Sequence, residues 1–186
     1  MNYSELAYIR SIVYRLFSIL VSYPYDEDIE LLGDRVKSLY NAFNSLNRYG
    51  YRDYRNDLKR LEDAFKNEVE RLGRDYFQAE YTSLFDLGVP EPPCPLYEYT
   101  YLKSGESIVE VEGLYMDREV YHLNKLLELY RRYGVESDWS IERPDHIGVE
   151  LEFMSHLCYI EGGRWTEDNV EEVLDDELKM INNHLT

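Results

Sequence analysis

The chain has 186 residues, 44% of them hydrophobic and 31% charged, which suits one domain burying roughly 70% of its unfolded surface and is too apolar for disorder. A formal net charge of −17 argues against nucleic acid and anionic membranes as partners and favours cationic ligands such as basic peptides. With only Cys94 and Cys158 and no Cys-x-x-Cys, neither a disulfide framework nor a thiolate zinc site is expected.

From about Ser4 to Ser22, Leu6, Ile9, Val13, Leu16, Phe17 and Leu20 recur at helical spacing, and Tyr23-Pro24 ends the pattern. Asp26 is placed to cap a second helix reaching about Leu46, with Ile29, Leu32, Val36, Leu39 and Phe43 on one face. A third helix, capped by Asp53 and ending near Gly73, turns Leu58, Leu61, Phe65 and Leu72 inward. A short fourth, Arg74 to Phe85, carries Tyr76, Phe77, Tyr81, Leu84 and Phe85, and Gly88 with Pro90 closes it.

The next stretch, about 86–104, holds Pro90, Pro92, Pro93 and Pro95, four of the chain's six prolines. No helix crosses such a run, and the backbone stays near polyproline or turn geometry. Two readings remain open at this point: a stiff connector, or a surface presenting Tyr97, Glu98, Tyr99 and Tyr101 to a partner at little entropic cost. Residues 107–112 could be extended but have no evident strand mate, so they are expected to be irregular. Asp117 opens a fifth helix to Tyr133, Pro144 suits the first turn of a sixth reaching Ile160, and Thr166 caps a seventh toward Ile181. The expected class is all-α, a single domain over 1–186.

From Gly134 onward, 14 Asp or Glu stand against Arg143, Arg164 and Lys179, so this stretch carries −11 of the −17. The apolar run Leu16 to Val21 is broken by Ser18, and no run approaches the roughly 18 residues that span a bilayer. Glu5 stands where a secretory signal would place positive charge, so the chain is expected to be cytoplasmic.

Three short patterns could carry chemistry. His146 and Glu150, four apart at the start of the sixth helix, could bond to one another or hold a cation, with Asp145 favoured by the helix dipole. Glu152 and His156 repeat that spacing. Glu119-Val-Tyr-His122 has the Glu-x-x-His spacing of di-iron bundles, but such sites need a second copy and this chain has none. No phosphate-cradling glycine loop, nucleophile elbow or Cys/His pairing is present. The local sequence therefore points to no catalytic residue, no cofactor and no metal ligand set.

Taken in order, Glu80-x-x-x-Leu84-Phe85, Pro95-Leu-Tyr-Glu98-x-x-Tyr101 and Asp145-His146-x-x-x-Glu150-Leu151-x-Phe153-Met154 resemble the motifs of the TorD/DmsD/NarJ family. These are cytoplasmic chaperones that assist maturation of molybdenum-cofactor oxidoreductases. The resemblance implies an all-helical bundle in which the proline loop and the Asp-His helix start line a shared groove for the client's N-terminal peptide. That peptide often carries a twin-arginine signal, a basic pair followed by an apolar run. Glu98, Asp145 and Glu150 would then meet the basic pair, and Leu84, Phe85, Tyr97, Tyr99 and Tyr101 would cover the apolar run. Pro95 and Pro144 shape the two walls, and His146 would orient Asp145 or bond a peptide carbonyl.

Two departures stand out. Relatives commonly have Glu-Ser where this chain has Glu98-Tyr99. His184-Leu185 resembles a pair that in relatives precedes a tryptophan and further helices. Without those helices, Val173, Leu174 and Ile181 are expected to be exposed, which would favour a homodimer or a helix-swapped oligomer. Two other functions compete with the chaperone reading: a small metal-dependent helical enzyme using His122, His146 or Glu150, and an acidic structural subunit of a larger complex.

Overall fold

A computed structural model describes residues 2–89, 91–102, 108–111, 113–136, 142–164 and 170–185. Eight helices occupy most of them: α1 (Tyr3–Val21), α2 (Asp26–Leu46), α3 (Arg55–Leu72), α4 (Arg74–Phe85), α5 (Glu98–Leu102), α6 (Arg118–Arg132), α7 (Ile147–Arg164) and α8 (Val170–Asn183). An antiparallel hairpin, β1 (Ile108–Val111) and β2 (Leu114–Asp117), stands between α5 and α6. The all-α expectation holds, with this hairpin as the exception.

Local chemistry explains most boundaries. Asp117 accepts the Glu119 N–H at 2.8 Å and caps α6, and Asp53 accepts the Arg55 N–H at 3.0 Å at the head of α3. Before α2 the cap position falls on Tyr25 instead of Asp26, and Asp28 accepts the Tyr25 N–H at 3.2 Å. The expected cap at Thr166 lies outside the described residues.

Two expectations fail for identifiable reasons. Residues 108–111 are a strand because their mate, Leu114–Asp117, follows at once. Val111 pairs with Leu114 across a two-residue connection whose second member, Gly113, sits at φ 81°, a conformation glycine adopts without strain. The helix expected from Pro144 starts only at Ile147. The Asp145 carbonyl and the Ile147 N–H are committed sideways, to Glu98 and Leu96 at 2.9 Å each, so the chain enters the helix after that pairing.

The core lies in two parts that meet on α1. Val13 of α1 packs with Leu39, Ala42, Phe43 and Leu46 of α2 and Leu58 of α3, while α6, α7 and α8 enclose Leu126, Tyr130, Phe153, Met154, Leu157, Val173 and Met180. Where α1 and α7 run along one another, small residues face each other. Ser4 donates to the Gly162 carbonyl at 2.6 Å, Ser11 and Ser155 lie 3.1 Å apart, and Ser18 donates to the Gly148 carbonyl at 2.7 Å. A Cβ on Gly162 would stand 2.8 Å from the Tyr8 ring. These contacts hold two antiparallel helices at close range and satisfy hydroxyls that would otherwise be buried unpaired.

Part of the acidic C-terminal stretch faces inward. Asp145, Glu150, Glu161, Asp176 and Glu177 are all buried. Arg10 of α1 pairs with Glu161 of α7 and, at 3.1 Å, with Glu177 of α8. Asp176 takes Arg132 at 2.7 Å, the Tyr133 hydroxyl at 3.0 Å and Lys179 at 2.8 Å. The same helix seats Val173 and Met180 fully in the core, with Leu174 and Ile181 half-buried. The apolar face expected to be exposed is thus covered by α6 and α7, and that ground for self-association is gone.

Removing one partner of a buried ion pair leaves the others uncompensated, at about 3–5 kcal/mol. Arg10→Met is therefore expected to lower unfolding free energy by that order in urea titrations, with part of the loss recovered when Glu161→Gln and Glu177→Gln are added. An unchanged urea midpoint for Arg10→Met would refute this role.

Candidate functional site

The proline segment and the head of α7 are joined directly. Tyr97 and His146 form an isolated antiparallel bridge, flanked by the Glu98 N–H on the Asp145 carbonyl and the Ile147 N–H on the Leu96 carbonyl. The segment is also tied to α4, where the Cys94 N–H donates to the Leu84 carbonyl at 2.9 Å. Tyr101 donates to the Pro95 carbonyl at 2.8 Å, which folds the start of α5 back over the prolines.

Side chains reinforce this clasp. Arg143 reaches Asp145 through Nε at 2.9 Å and Glu119 through Nη2 at 2.9 Å, and its guanidinium lies 4.3 Å from the centre of the Tyr99 ring. Asp145 also accepts the Tyr99 N–H at 3.3 Å. The Tyr97 hydroxyl donates to Glu142 at 3.0 Å, and burial together with that carboxylate pushes the phenol well up. Beneath them the buried Tyr130 hydroxyl donates to the Pro144 carbonyl at 2.9 Å. His146 Nδ1 accepts the Gly148 N–H at 3.1 Å, and burial pushes this imidazole down, so it caps α7 as a neutral ring rather than orienting Asp145.

Beside the clasp lies an apolar cleft of about 430 Å³, walled by Ile19 and Leu20 of α1, Ile29 and Leu32 of α2, Phe65 of α3, and Phe77, Tyr81, Leu84 and Phe85 of α4, with Leu96 closing it from the proline segment. Asp28, Arg35 and Glu80 are the charged residues along it. Its size falls within the roughly 300–1,000 Å³ of small-ligand pockets. Leu84, 41% exposed, stands where an incoming group would meet it.

The eleven residues singled out in the sequence therefore fall into three neighbouring places. Leu84 and Phe85 line the cleft; Pro95, Tyr97, Tyr99, Tyr101, Pro144, Asp145 and His146 build the clasp; Glu98 and Glu150 meet in a buried cluster with His184. His184 Nδ1 is 2.9 Å from Glu98 Oε2, and one ligand-type atom from each of the three lies within 4.8 Å of the others. Burial, and then the charges of Glu98 and Asp145, push the Glu150 carboxyl up to about 9.

The remaining motif residues scatter. Glu119 serves Arg143, whereas His122 lines a different surface with His184. Glu152 pairs with Arg15, and His156 lies 3.3 Å from the Tyr133 carbonyl. Sequence reasoning missed Arg143 as the cation of the clasp, although it directly precedes the Pro-Asp-His motif. It also missed His184 and the α1 and α2 walls of the cleft, which only the tertiary fold brings near Leu84.

A family model described as the nitrate reductase delta subunit matches residues 49–186. Chaperone protein TorD of Photobacterium profundum is 30% identical over 132 residues, which cover 69% of this chain and 57% of that protein. The chain thus spans little more than half the length of this curated relative. A crystal structure from Archaeoglobus fulgidus, described as a redox enzyme maturation protein, is 23% identical with a TM-score of 0.46 over 90% of this chain and 91% of its own.

The Glu150 carboxyl gives a signed pH dependence. The unfolded chain releases this proton near the usual carboxylate value of about 4.3, but the fold retains it up to about 9. Its contribution therefore turns increasingly unfavourable as pH rises between those values and is absent below them. Glu150→Gln is expected to stabilise the protein by roughly 2–4 kcal/mol at pH 8, with the gain vanishing by pH 4. Urea unfolding across that range checks it, and a pH-independent difference would contradict it.

Proposed function

The chain belongs to the nitrate reductase delta subunit family, and from that premise we propose that it is a non-enzymatic chaperone. Its client is the catalytic subunit of a molybdenum-cofactor oxidoreductase, held by its N-terminal peptide or in its apo form until the cofactor is in place. The supporting observation is the cleft: an apolar, partly open cavity on a strongly acidic protein. An extended or helical peptide with an apolar run can bury side chains there while its basic pair stays outside.

Leu84 and Phe85 give the cleft wall, and Tyr97, Tyr99 and Tyr101 extend an aromatic surface from it along the proline segment. Asp28 and Glu80 set the charge of the mouth, and the overall field speeds the approach of a cationic segment. Asp145 is held by Arg143, and Glu98 and Glu150 lie in the buried cluster with His184, so in this reading they shape the wall, with Pro95, Pro144 and His146, more than they meet the basic pair directly. The chaperone acts in the cytoplasm, before export of its client. Among the described residues no helix is long and apolar enough to cross a membrane.

A fluorescent peptide with an arginine pair followed by an apolar run tests this reading. Saturable micromolar binding is expected, weakening as salt rises from about 50 to 500 mM. Leu84→Asp should lower affinity at least tenfold with circular dichroism unchanged, because the residue is partly exposed and the charge enters an apolar wall. Equal affinity in wild type and Leu84→Asp would overturn the cleft as the peptide site.

A further inference from the structure

We infer that Glu98, Glu150 and His184 form a binding site for one divalent transition-metal ion, of the zinc type by its ligands. The three residues come from the start of α5, the first turn of α7 and the residue after α8, so only the folded chain assembles them.

The cluster is built as a site rather than as a group of surface acids. Glu150 is 2% exposed, and its Oε1 has no hydrogen-bond partner. Glu98 Oε1 is likewise buried and unpartnered, while its Oε2 faces His184 Nδ1. Two buried carboxylate oxygens without hydrogen-bond partners, on side chains whose ligand-type atoms lie within 4.8 Å of one another, form an arrangement that folding alone disfavours. Among the described residues no lysine or arginine pairs with Glu98 or Glu150. The nearby Asp145 gives no help, because Arg143 already neutralises it.

A second buried group, Cys158, Glu161 and Glu177, has comparable spacing and shows the contrast. There the Arg10 guanidinium sits on both carboxylates, so the place of a cation is filled by the protein itself. At Glu98 and Glu150 the described residues put only an imidazole in that place.

The donor set selects the ion. Two carboxylates and one imidazole suit zinc, manganese or ferrous iron, whereas calcium and magnesium favour sites made of oxygen alone. At zinc bond lengths, tetrahedral donors stand roughly 3.4 Å apart, so atoms within 4.8 Å need only a small side-chain rotation. Three protein ligands leave a fourth position for water. Access exists too: His184 lines an open depression of about 550 Å³ together with His122, Lys125 and Asn183. The bound ion would clamp α5 and the end of α8 to α7 directly behind the proline segment. The ion site and the peptide cleft share no lining residue, so either can fail without the other.

The test uses the full chain without an affinity tag, stripped with chelator and dialysed against metal-free buffer. Zinc is titrated in competition with a chromophoric chelator, with magnesium and calcium as separate arms. One saturable equivalent with a dissociation constant at or below about 10 µM is expected, unaffected by millimolar magnesium or calcium. Glu150→Gln and His184→Gln should each weaken it at least tenfold, circular dichroism confirming that each variant is folded; should one misfold, the other decides. Absence of a saturable site, or zinc affinity within twofold of wild type in both variants, would overturn the assignment, the latter result showing adventitious surface binding only.

Discussion

Two backbone hydrogen bonds, Ile147 N–H to Leu96 and Glu98 N–H to Asp145, position everything else around the site. They are possible because the segment before them is stiff and poor in donors. Pro92, Pro93 and Pro95 have no N–H to offer a helix or a turn of their own. The chain therefore arrives extended, with less entropy to lose than a flexible loop would have, and its first available groups after Pro95 pair with the head of α7. That head is itself fixed by the small-residue contact with α1, where Gly148 meets Ser18 and receives the cap from His146. From this short pairing Leu96 reaches the cleft, Tyr97 packs on His146 with ring centres 5.2 Å apart, and Glu98 is delivered to Glu150 and His184.

The helices were legible in the sequence because their apolar stripes are amphipathic in the ordinary way, as in α2 with Val36, Leu39 and Phe43. The contact between α1 and α7 was not. It is made of serine and glycine, residues that periodicity analysis counts as polar or breaking, and becomes visible only when Ser4, Ser11 and Ser18 are seen opposite Gly162, Ser155 and Gly148. The hairpin escaped for a related reason: Glu112-Gly113 is a weaker turn signal than Asn-Gly or Asp-Gly. For the candidate site, the ordered motifs pointed to two segments that the fold brings into contact. They did not reveal what each acid faces. Along the chain Asp145 looks free to meet a peptide, because its partner, Arg143, lies only two residues away in what reads as the same turn. His184 stands 86 residues from Glu98, a separation at which sequence pattern says nothing about contact.

The acidity also divides differently in three dimensions from the way it reads along the chain. A run of acids in α8 suggests a solvated face, yet Asp176 and Glu177 point inward and are held by cations from α6, α8 and α1. Buried pairs of this kind are weak evidence of stabilisation, since apolar replacements of similar volume are often as good. Their effect is to fix which helix lies where: Arg10 fits only if α1, α7 and α8 meet in one register. Glu150 breaks that pattern. It is buried as deeply as the others, without, among the described residues, the cation that each of them has, and burial pushes its carboxyl up. Stability does not account for such a residue, because glutamine would fill the same volume without the penalty of a carboxyl. A bound cation accounts for it, and the position fits: Leu96 of the cleft and Glu98 of the cluster are two residues apart on one stiff segment, so a clamp on Glu98 would also fix the wall that an apolar peptide meets.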